Sequence, residues 1–443
     1  MNLKELGWHI DPMTNIQREF LNDWQHRFFV VPAGRRSRKT IIGILKVINH
    51  ALFNPDYKYF FGAPTRDQAK KIFWDRLKRM VKHMGIQGSR FNETGLDFHL
   101  INGALIRVLG LDVGERVEGE TPSYNGCLIT EMGNTKRELW GEHIRPILSD
   151  TNGFGILEGV PEGFNHYYDL ACYACNGMLP KTQEQIGAKC ENPNDPEWVY
   201  YSWFSSDVLS EVEIQAAKRQ LDPKTFRQEY EAEFIQNTST VYYCFENENI
   251  TDIEFDPTAK TYLCWDFNVG ERPMSVTAVQ DIDDKIIATK EFVYKESNTD
   301  WTCQAILEYF NKKNFSGSLN IVGDIAGKRR ESSSIASWTD YIIIDSYFKN
   351  YRDYEKRMRA GRIRDRVISM NTLLKNALGE RRFLVNAKEC PHLTEDFRRV
   401  EWAEDGQHLE GNNPNLTHSS DGASYFAVNY YPVAIIGAKV EVF

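Results

Sequence analysis

Nowhere in the 443 residues does an apolar run approach the roughly 20 residues of a membrane span, and the opening MNLKELGWHIDP has neither the basic nor the apolar region of a secretory signal. These absences predict a cytoplasmic protein with no membrane partner. Cysteine is scarce, with eight residues at irregular spacing, which suits a reducing compartment better than a disulfide framework. Cys172 and Cys175 could be combined with His166 and Cys190 into a zinc site, but the spacing of the last two matches no standard ligand pattern, so zinc is not expected. Positive charge is also short. With 53 Lys and Arg against 62 Asp and Glu, the net charge of -9 argues against non-specific coating of nucleic acid and leaves room only for a local basic surface.

What is present is enough apolar material for substantial cores: 42% hydrophobic and 13% aromatic residues over a length that suggests two or three domains. Up to about residue 235, helical and strand-like segments alternate as in an α/β sheet. Residues 237–256 read as a connector, and a second domain over 257–443 opens with three strands, the second and third joined by a turn at Asp283 and Asp284. Two stretches concentrate positive charge, GKRR at 327–330 and residues 349–366, the latter with Tyr351 and Tyr354 interleaved. Such a patch suits a groove that tracks a nucleic-acid backbone, although each alone reads as readily as a solvated helix face.

The stretch FFVVPAGRRSRKTIIGILKV, Phe28 to Val47, departs from the phosphate-loop pattern G-x-x-x-x-G-K-[ST], because Ala33 and Arg38 occupy its two glycine positions. Its context is nonetheless an apolar strand, a tight loop containing Gly34, Arg35, Arg36 and Ser37, and then Lys39-Thr40 opening an amphipathic helix. Loop amides and a helix N-terminus would converge on phosphate oxygens, with Lys39 adding charge and the Thr40 hydroxyl reaching Mg²⁺. In NGCLITEMGNT a buried strand over 127–130 ends next to Glu131, where a carboxylate can polarise an attacking water. The preceding position, at which an aspartate usually holds Mg²⁺, is Thr130. A third strand-like run, in FGILEGVPEGFNHYYDL, ends in a polar turn suited to sensing a γ-phosphate.

In the second half, Asp266 ends one apolar strand, Asp324 ends another, and Asp421 lies at the start of a closing helix. Any one of these alone reads more readily as a helix cap or turn residue, Asp421 before its helix above all. Together they have the layout of an RNase H-like nuclease. Three carboxylates at one sheet edge repel one another unless cations neutralise them, and two Mg²⁺ or Mn²⁺ ions about 4 Å apart suit in-line phosphodiester cleavage.

In this order, PMTNIQREF, GRRSRKT, APTRDQAKKIF, LITEMGN, GVPEGFNHYYDL, FRQEYEAEF, CWDFNVG, VGDIAG and HSSDGASYFAVN give the chain a resemblance, over nearly its whole length, to the large terminase subunit of tailed bacteriophages. The resemblance implies an N-terminal ASCE-type P-loop ATPase with a mainly parallel sheet over 1–236 and a C-terminal RNase H-like nuclease with a mixed sheet over 257–443. It implies that ATP hydrolysis drives double-stranded DNA into a procapsid and that the nuclease cuts concatemeric DNA. By position, Gln17 matches an adenine-reading glutamine, Lys39 and Thr40 the phosphate lysine and Mg²⁺ hydroxyl, Glu131 the catalytic glutamate, residues 159–165 a coupling motif, and Asp266, Asp324 and Asp421 the nuclease metal ligands. Residues 34–40 would cradle ATP. The implied partners are a portal, a small terminase subunit and further copies in a ring, with a monomer as the free state, and Arg116 or Arg137 would complete a neighbour's ATP site. Two other classes share the residue pattern: an RNase H-like recombinase or resolvase with an accessory ATPase, and a structural DNA-binding virion protein with a decayed ATPase.

Overall fold

The alternation of short apolar runs and amphipathic helices in the first half closes into one sheet, because strands buried on both faces need helices on either side. The computed structural model describes residues 13–112, 123–177, 179, 188–235, 240–268, 272–324, 339–359, 361–403, 409 and 416–433. Nine strands, β1 (Phe28–Pro32), β2 (Lys58–Ala63), β3 (Arg90–Asn92), β4 (Asp97–His99), β5 (Leu105–Gly110), β6 (Gly126–Ile129), β7 (Phe154–Gly159), β8 (Ala188–Glu191) and β9 (Trp198–Ser202), run in the order β3-β4-β5-β2-β6-β7-β1-β9-β8. The six from β5 to β9 in that order are parallel, and β3, β4 and β8 add antiparallel edges. Every residue of β1, β6 and β7 is buried. The Lys39–Phe53 helix packs on one face so closely that a Cβ on Gly43 would meet Leu128 Cδ1 at 2.9 Å. Tyr167, Ala171 and Ala174 of the His166–Ala174 helix join a core with Phe28, Cys127 and Leu157.

The second sheet is mixed, with β10 (Ile250–Thr251), β11 (Lys260–Asp266), β12 (Met274–Ile282), β13 (Lys285–Tyr294), β14 (Leu319–Val322), β15 (Glu355–Arg357) and β16 (Phe383–Asn386) in the order β10-β16-β13-β12-β11-β14-β15. β11, β12 and β13 form an antiparallel meander, and β14 joins β11 in parallel. The turn between β12 and β13 falls at Asp283 and Asp284, with φ of 50° and 61°. Both central residues of such a two-residue hairpin turn need positive φ, which aspartate tolerates. The Thr299–Lys313 and Asp340–Phe348 helices share one core with β11 and β14, while the Ile363–Leu374, Pro391–Arg399 and His418–Tyr430 helices share another with β13 and β16.

The chain divides into two compact units, residues 1–214 with 226–237, and residues 215–225 with 238–443. This differs from a connector over 237–256, since Val241, Tyr242 and Cys244 are buried in a core of the second unit and β10 extends its sheet. The apolar run VYYC is core material. Cys175 and Cys190 form a disulfide with a Cα–Cα distance of 5.3 Å, at odds with eight reduced thiols and removing two members of the zinc alternative. Tyr351 packs against Phe310, Phe315 and Phe348, and the Tyr354 hydroxyl donates to Asp345 at 2.7 Å, so these rings support the core rather than line a basic groove. Residues 327–330 and Arg116 lie outside the described residues. Among the described residues no helix is long and apolar enough to cross a membrane.

Candidate phosphate-loop and carboxylate sites

The loop after β1 is held from several sides. Ala33 N–H donates to Gly159 O at 3.1 Å, Gly34 N–H to Trp203 O at 3.0 Å, and Arg35 N–H to Glu229 O at 2.6 Å. The Arg35 guanidinium also pairs with the Glu229 carboxylate at 2.9 Å, and Ser205 Oγ donates to Arg35 O at 2.7 Å. A Cβ on Gly34 would come within 2.6 Å of Ser205 N and Tyr230 O, so only glycine fits there. Arg36 and Arg38 take left-handed backbone conformations with φ of 56° and 67°, and the helix opens at Lys39 with no side-chain cap. Positive φ at Arg38 is the reason a glycine is usual at that position. Strain of this kind collects at ligand-binding loops.

Gln17 is fully buried, and its amide is engaged within the protein: Nε2 donates to Ser37 O at 3.1 Å and Oε1 accepts from Thr14 N–H at 3.1 Å. It therefore braces the loop, together with Trp203 Nε1, which donates to the same Ser37 carbonyl at 2.9 Å. Lys39 is 8% exposed, with Nζ donating to Ala33 O and Gly34 O at 3.3 Å each. Burial lowers its pKa, opposed by the negative charges of Glu158, Glu131 and Glu229.

Two acids stand at the carboxyl ends of adjacent strands, where ligands bind in open parallel sheets. Glu131 follows β6 in a left-handed conformation, φ 55°, which turns it out of the strand into a short helical turn. Glu158 lies in β7, which sits between β6 and β1. Sequence reading passed over it because it falls within an apolar run rather than at a motif position. It is 1% exposed; burial raises its pKa, while Lys39 and hydrogen bonds from the Thr40 and Thr130 side chains act against that rise. Glu158 Oε1 is a buried atom with no hydrogen-bond partner. Two hydroxyls and an orphaned carboxylate oxygen form a hard-oxygen donor set that fits Mg²⁺. Arg76 of the Asp75–His83 helix also feels the Glu158 charge, and no sequence motif marked it. Asn165 ties the segment after β7 to Glu131's turn: Nδ2 donates to Gly133 O at 3.1 Å, while Oδ1 caps the His166–Ala174 helix by accepting from Tyr167 and Tyr168 N–H. Arg137 is exposed and paired with Asp169 at 2.9 Å.

In the second unit, β11 and β14 pair in parallel through Cys264 and Val322, so Asp266 and Asp324 each lie two residues beyond the last pair. The His418–Tyr430 helix approaches β11 through Gly422, where a Cβ would lie 2.9 Å from Cys264 O, and so carries Asp421 to the same edge. Asp421, Asp266 and Asp324 all act on the Tyr425 hydroxyl, whose pKa is raised chiefly by burial. Asp266 accepts from Asn268 Nδ2 at 2.5 Å and pairs with His418 Nδ1 at 3.0 Å; Asp421 pairs with Arg366 at 3.0 Å. Burial first, then the Asp266 charge, pushes Asp421 up to about 7 against the pull of Arg366. Three carboxylates around one ring suit hard divalent cations. In this arrangement, however, among the described residues no three His, Cys, Asp or Glu side chains are gathered closely enough to hold one.

No protein-family model matches the chain. The large terminase subunit of Escherichia phage T5 is 26% identical over 220 residues, 48% of this chain and 45% of that protein. The large terminase subunit of Thermus phage G20c is 24% identical over 228 residues, 47% of this chain and 46% of that protein. The chain thus spans about half the length of the curated relatives it matches. The solved large terminase of a thermophilic bacteriophage superimposes with a TM-score of 0.56 at 13% identity, covering 95% of this chain and 99% of that one. The same protein in complex with ADP superimposes with a TM-score of 0.55 at 12% identity, with the same coverage of 95% and 99%.

Proposed function

We propose, for a chain related to phage large terminase subunits over about half its length and sharing the fold of one over nearly all of it, that it is a DNA-packaging motor and nuclease. The observation that carries the proposal is the pairing of two strand-end sites in one chain. Lys39, Thr40 and Glu131 act on Glu158 in the first unit, and Asp266, Asp324 and Asp421 all act on the Tyr425 hydroxyl in the second.

In this reading the first unit hydrolyses ATP. The loop over 34–40 and the open helix N-terminus hold the phosphates, Lys39 moves from the Ala33 and Gly34 carbonyls to a phosphate oxygen, and Glu131 orients the water. Gln17 supports adenine binding through Ser37, and Asn165 links the γ-phosphate side of the site to the Glu131 turn. The second unit cuts DNA, and Asp266, Asp324 and Asp421 are the residues that would hold Mg²⁺ or Mn²⁺, with Arg366 now paired to Asp421. Metal ions held there would supply charge to activate a water and to neutralise the leaving oxygen. Double-stranded DNA is the substrate, and a portal, a small terminase subunit and further copies of the chain are the partners, with Arg137 or Arg116 completing a neighbour's ATP site. The host cytoplasm and the procapsid surface are where it acts.

The test is protection of pre-cut linear DNA from nuclease when the chain is incubated with ATP and cognate portal-bearing procapsids. Protection by wild type and by Asp266→Asn, but not by Lys39→Ala, is expected. ATP hydrolysis and DNA cleavage without any protection would favour a recombinase or resolvase instead.

A further inference from the structure

We propose that Glu158 is the carboxylate that orders the magnesium ion of the nucleotide, filling from β7 the role that the neutral Thr130 at the end of β6 cannot; this rests on the nucleotide reading of the loop. The sequence motif places the acid directly before the catalytic glutamate, in the same strand. Here that position is Thr130, which is 2% exposed. The sheet offers a second route. β6 and β7 pair in parallel through Ile129 and Leu157, and one further step sets Thr130 beside Glu158. Laterally paired residues of neighbouring strands point to the same face.

Four groups meet at Glu158: the Thr40 hydroxyl, the Thr130 hydroxyl, and the charges of Lys39 and Glu131. Thr40 is the hydroxyl at the opening of the loop's helix, the position that faces Mg²⁺ in a phosphate loop. Its hydroxyl is among the groups that hold down the Glu158 pKa. The carboxylate is 1% exposed and its Oε1 has no partner. Burying a carboxylate is costly unless it is paired and hydrogen-bonded, so an orphaned oxygen at the mouth of a phosphate loop points to a cation that binds there. A simple counter-ion role for Lys39 would not leave that oxygen unpaired. Lys39 Nζ is engaged with Ala33 O and Gly34 O, and among the described residues no direct ion pair joins it to Glu158. Mg²⁺ binds through one or two carboxylates, phosphate oxygens and several retained waters. Glu158 can hold one of those waters or the ion itself, which leaves Glu131 to act on the attacking water alone.

The experiment is binding of a fluorescent ADP analogue to the full chain, titrated with MgCl₂ and repeated in EDTA. For wild type, Mg²⁺ should tighten binding. Glu158→Gln should retain binding in EDTA and need about 10- to 100-fold more Mg²⁺ for the same enhancement. Thr130→Asp in the Glu158→Gln background should restore the Mg²⁺ response. Glu158→Asp, which keeps the charge on a shorter arm, should shift in the same direction by less, and it serves if circular dichroism shows that Glu158→Gln does not fold. Equal weakening with and without Mg²⁺, or an unchanged Mg²⁺ response in either folded variant, overturns the proposal. A wild-type chain that binds no nucleotide overturns the nucleotide reading, and this proposal falls with it.

Discussion

Arg38 shows at single-residue scale how function and stability pull apart. Its φ of 67° is a conformation that costs an ordinary residue about 1–2 kcal/mol and a glycine nothing. The strain is tolerable because the loop is clamped by Trp203, Ser205 and Glu229. Arg38→Gly should therefore raise unfolding stability by about 1 kcal/mol, read as a higher denaturant midpoint at unchanged slope. It should also weaken nucleotide binding through the lost charge. A variant that is less stable than wild type would show that the arginine is not strained. Lys39, Thr40 and Glu131 stand out in sequence because each sits at a motif position. Glu158 does not, because its place beside Thr130 comes from lateral pairing with β6, and strand order cannot be read along the chain. Gln17 is marked in sequence only by the resemblance, as an adenine reader, whereas its burial and its bond to Ser37 O depend on how the Asn15–Asn22 helix packs.

At the scale of elements, caps connect the sites to the frame. Asn165 both caps a helix and holds the turn that carries Glu131, so Asn165→Ala should cost about 1 kcal/mol of stability. It should lower ATP turnover far more than nucleotide affinity, because the loop itself is untouched; equal losses in both would contradict this. The Pro391–Arg399 helix begins on Glu291, which accepts from His392 N–H at 2.8 Å, Leu393 N–H at 3.0 Å and His392 Nδ1 at 2.6 Å. The hydrogen bond to Glu291 raises the His392 pKa above its usual value. Because the folded value is raised, the stabilisation is complete below the unfolded pKa of about 6.5 and is lost as pH rises through the folded value. The melting temperature of wild type should accordingly fall relative to His392→Gln above pH 6.5, and parallel pH profiles would argue against the pairing. Such helix starts are visible in sequence. Their distant acceptors, here on β13, are not.

For the whole molecule, two α/β sheets were legible from the alternation of apolar runs. The boundary was not. Composition marks a change near residue 237, but Val241, Tyr242 and Cys244 belong to the core formed with Phe383, Phe397 and Phe426. A fragment over 215–443 should fold, whereas one over 256–443 should be insoluble or unfolded. Removing a buried Tyr side chain alone costs on the order of 3–5 kcal/mol, by analogy with Phe, against a total of about 5–15 kcal/mol for a domain. Cooperative melting of the shorter fragment would contradict the observed packing. The Cys175–Cys190 pairing escaped prediction for a similar reason: connectivity follows from β8 and the His166–Ala174 helix being neighbours in space, and spacing does not specify it.

The central claim is that one chain carries two chemically separate sites, and it is tested most directly by one reaction containing full-length protein, ATP, Mg²⁺ or Mn²⁺ and supercoiled plasmid, with phosphate release and linear DNA recorded together. Wild type should yield both products, Lys39→Ala should cut DNA without releasing phosphate, and Asp266→Asn should release phosphate without cutting. Loss of both products with either substitution, or of neither with both, would contradict the account.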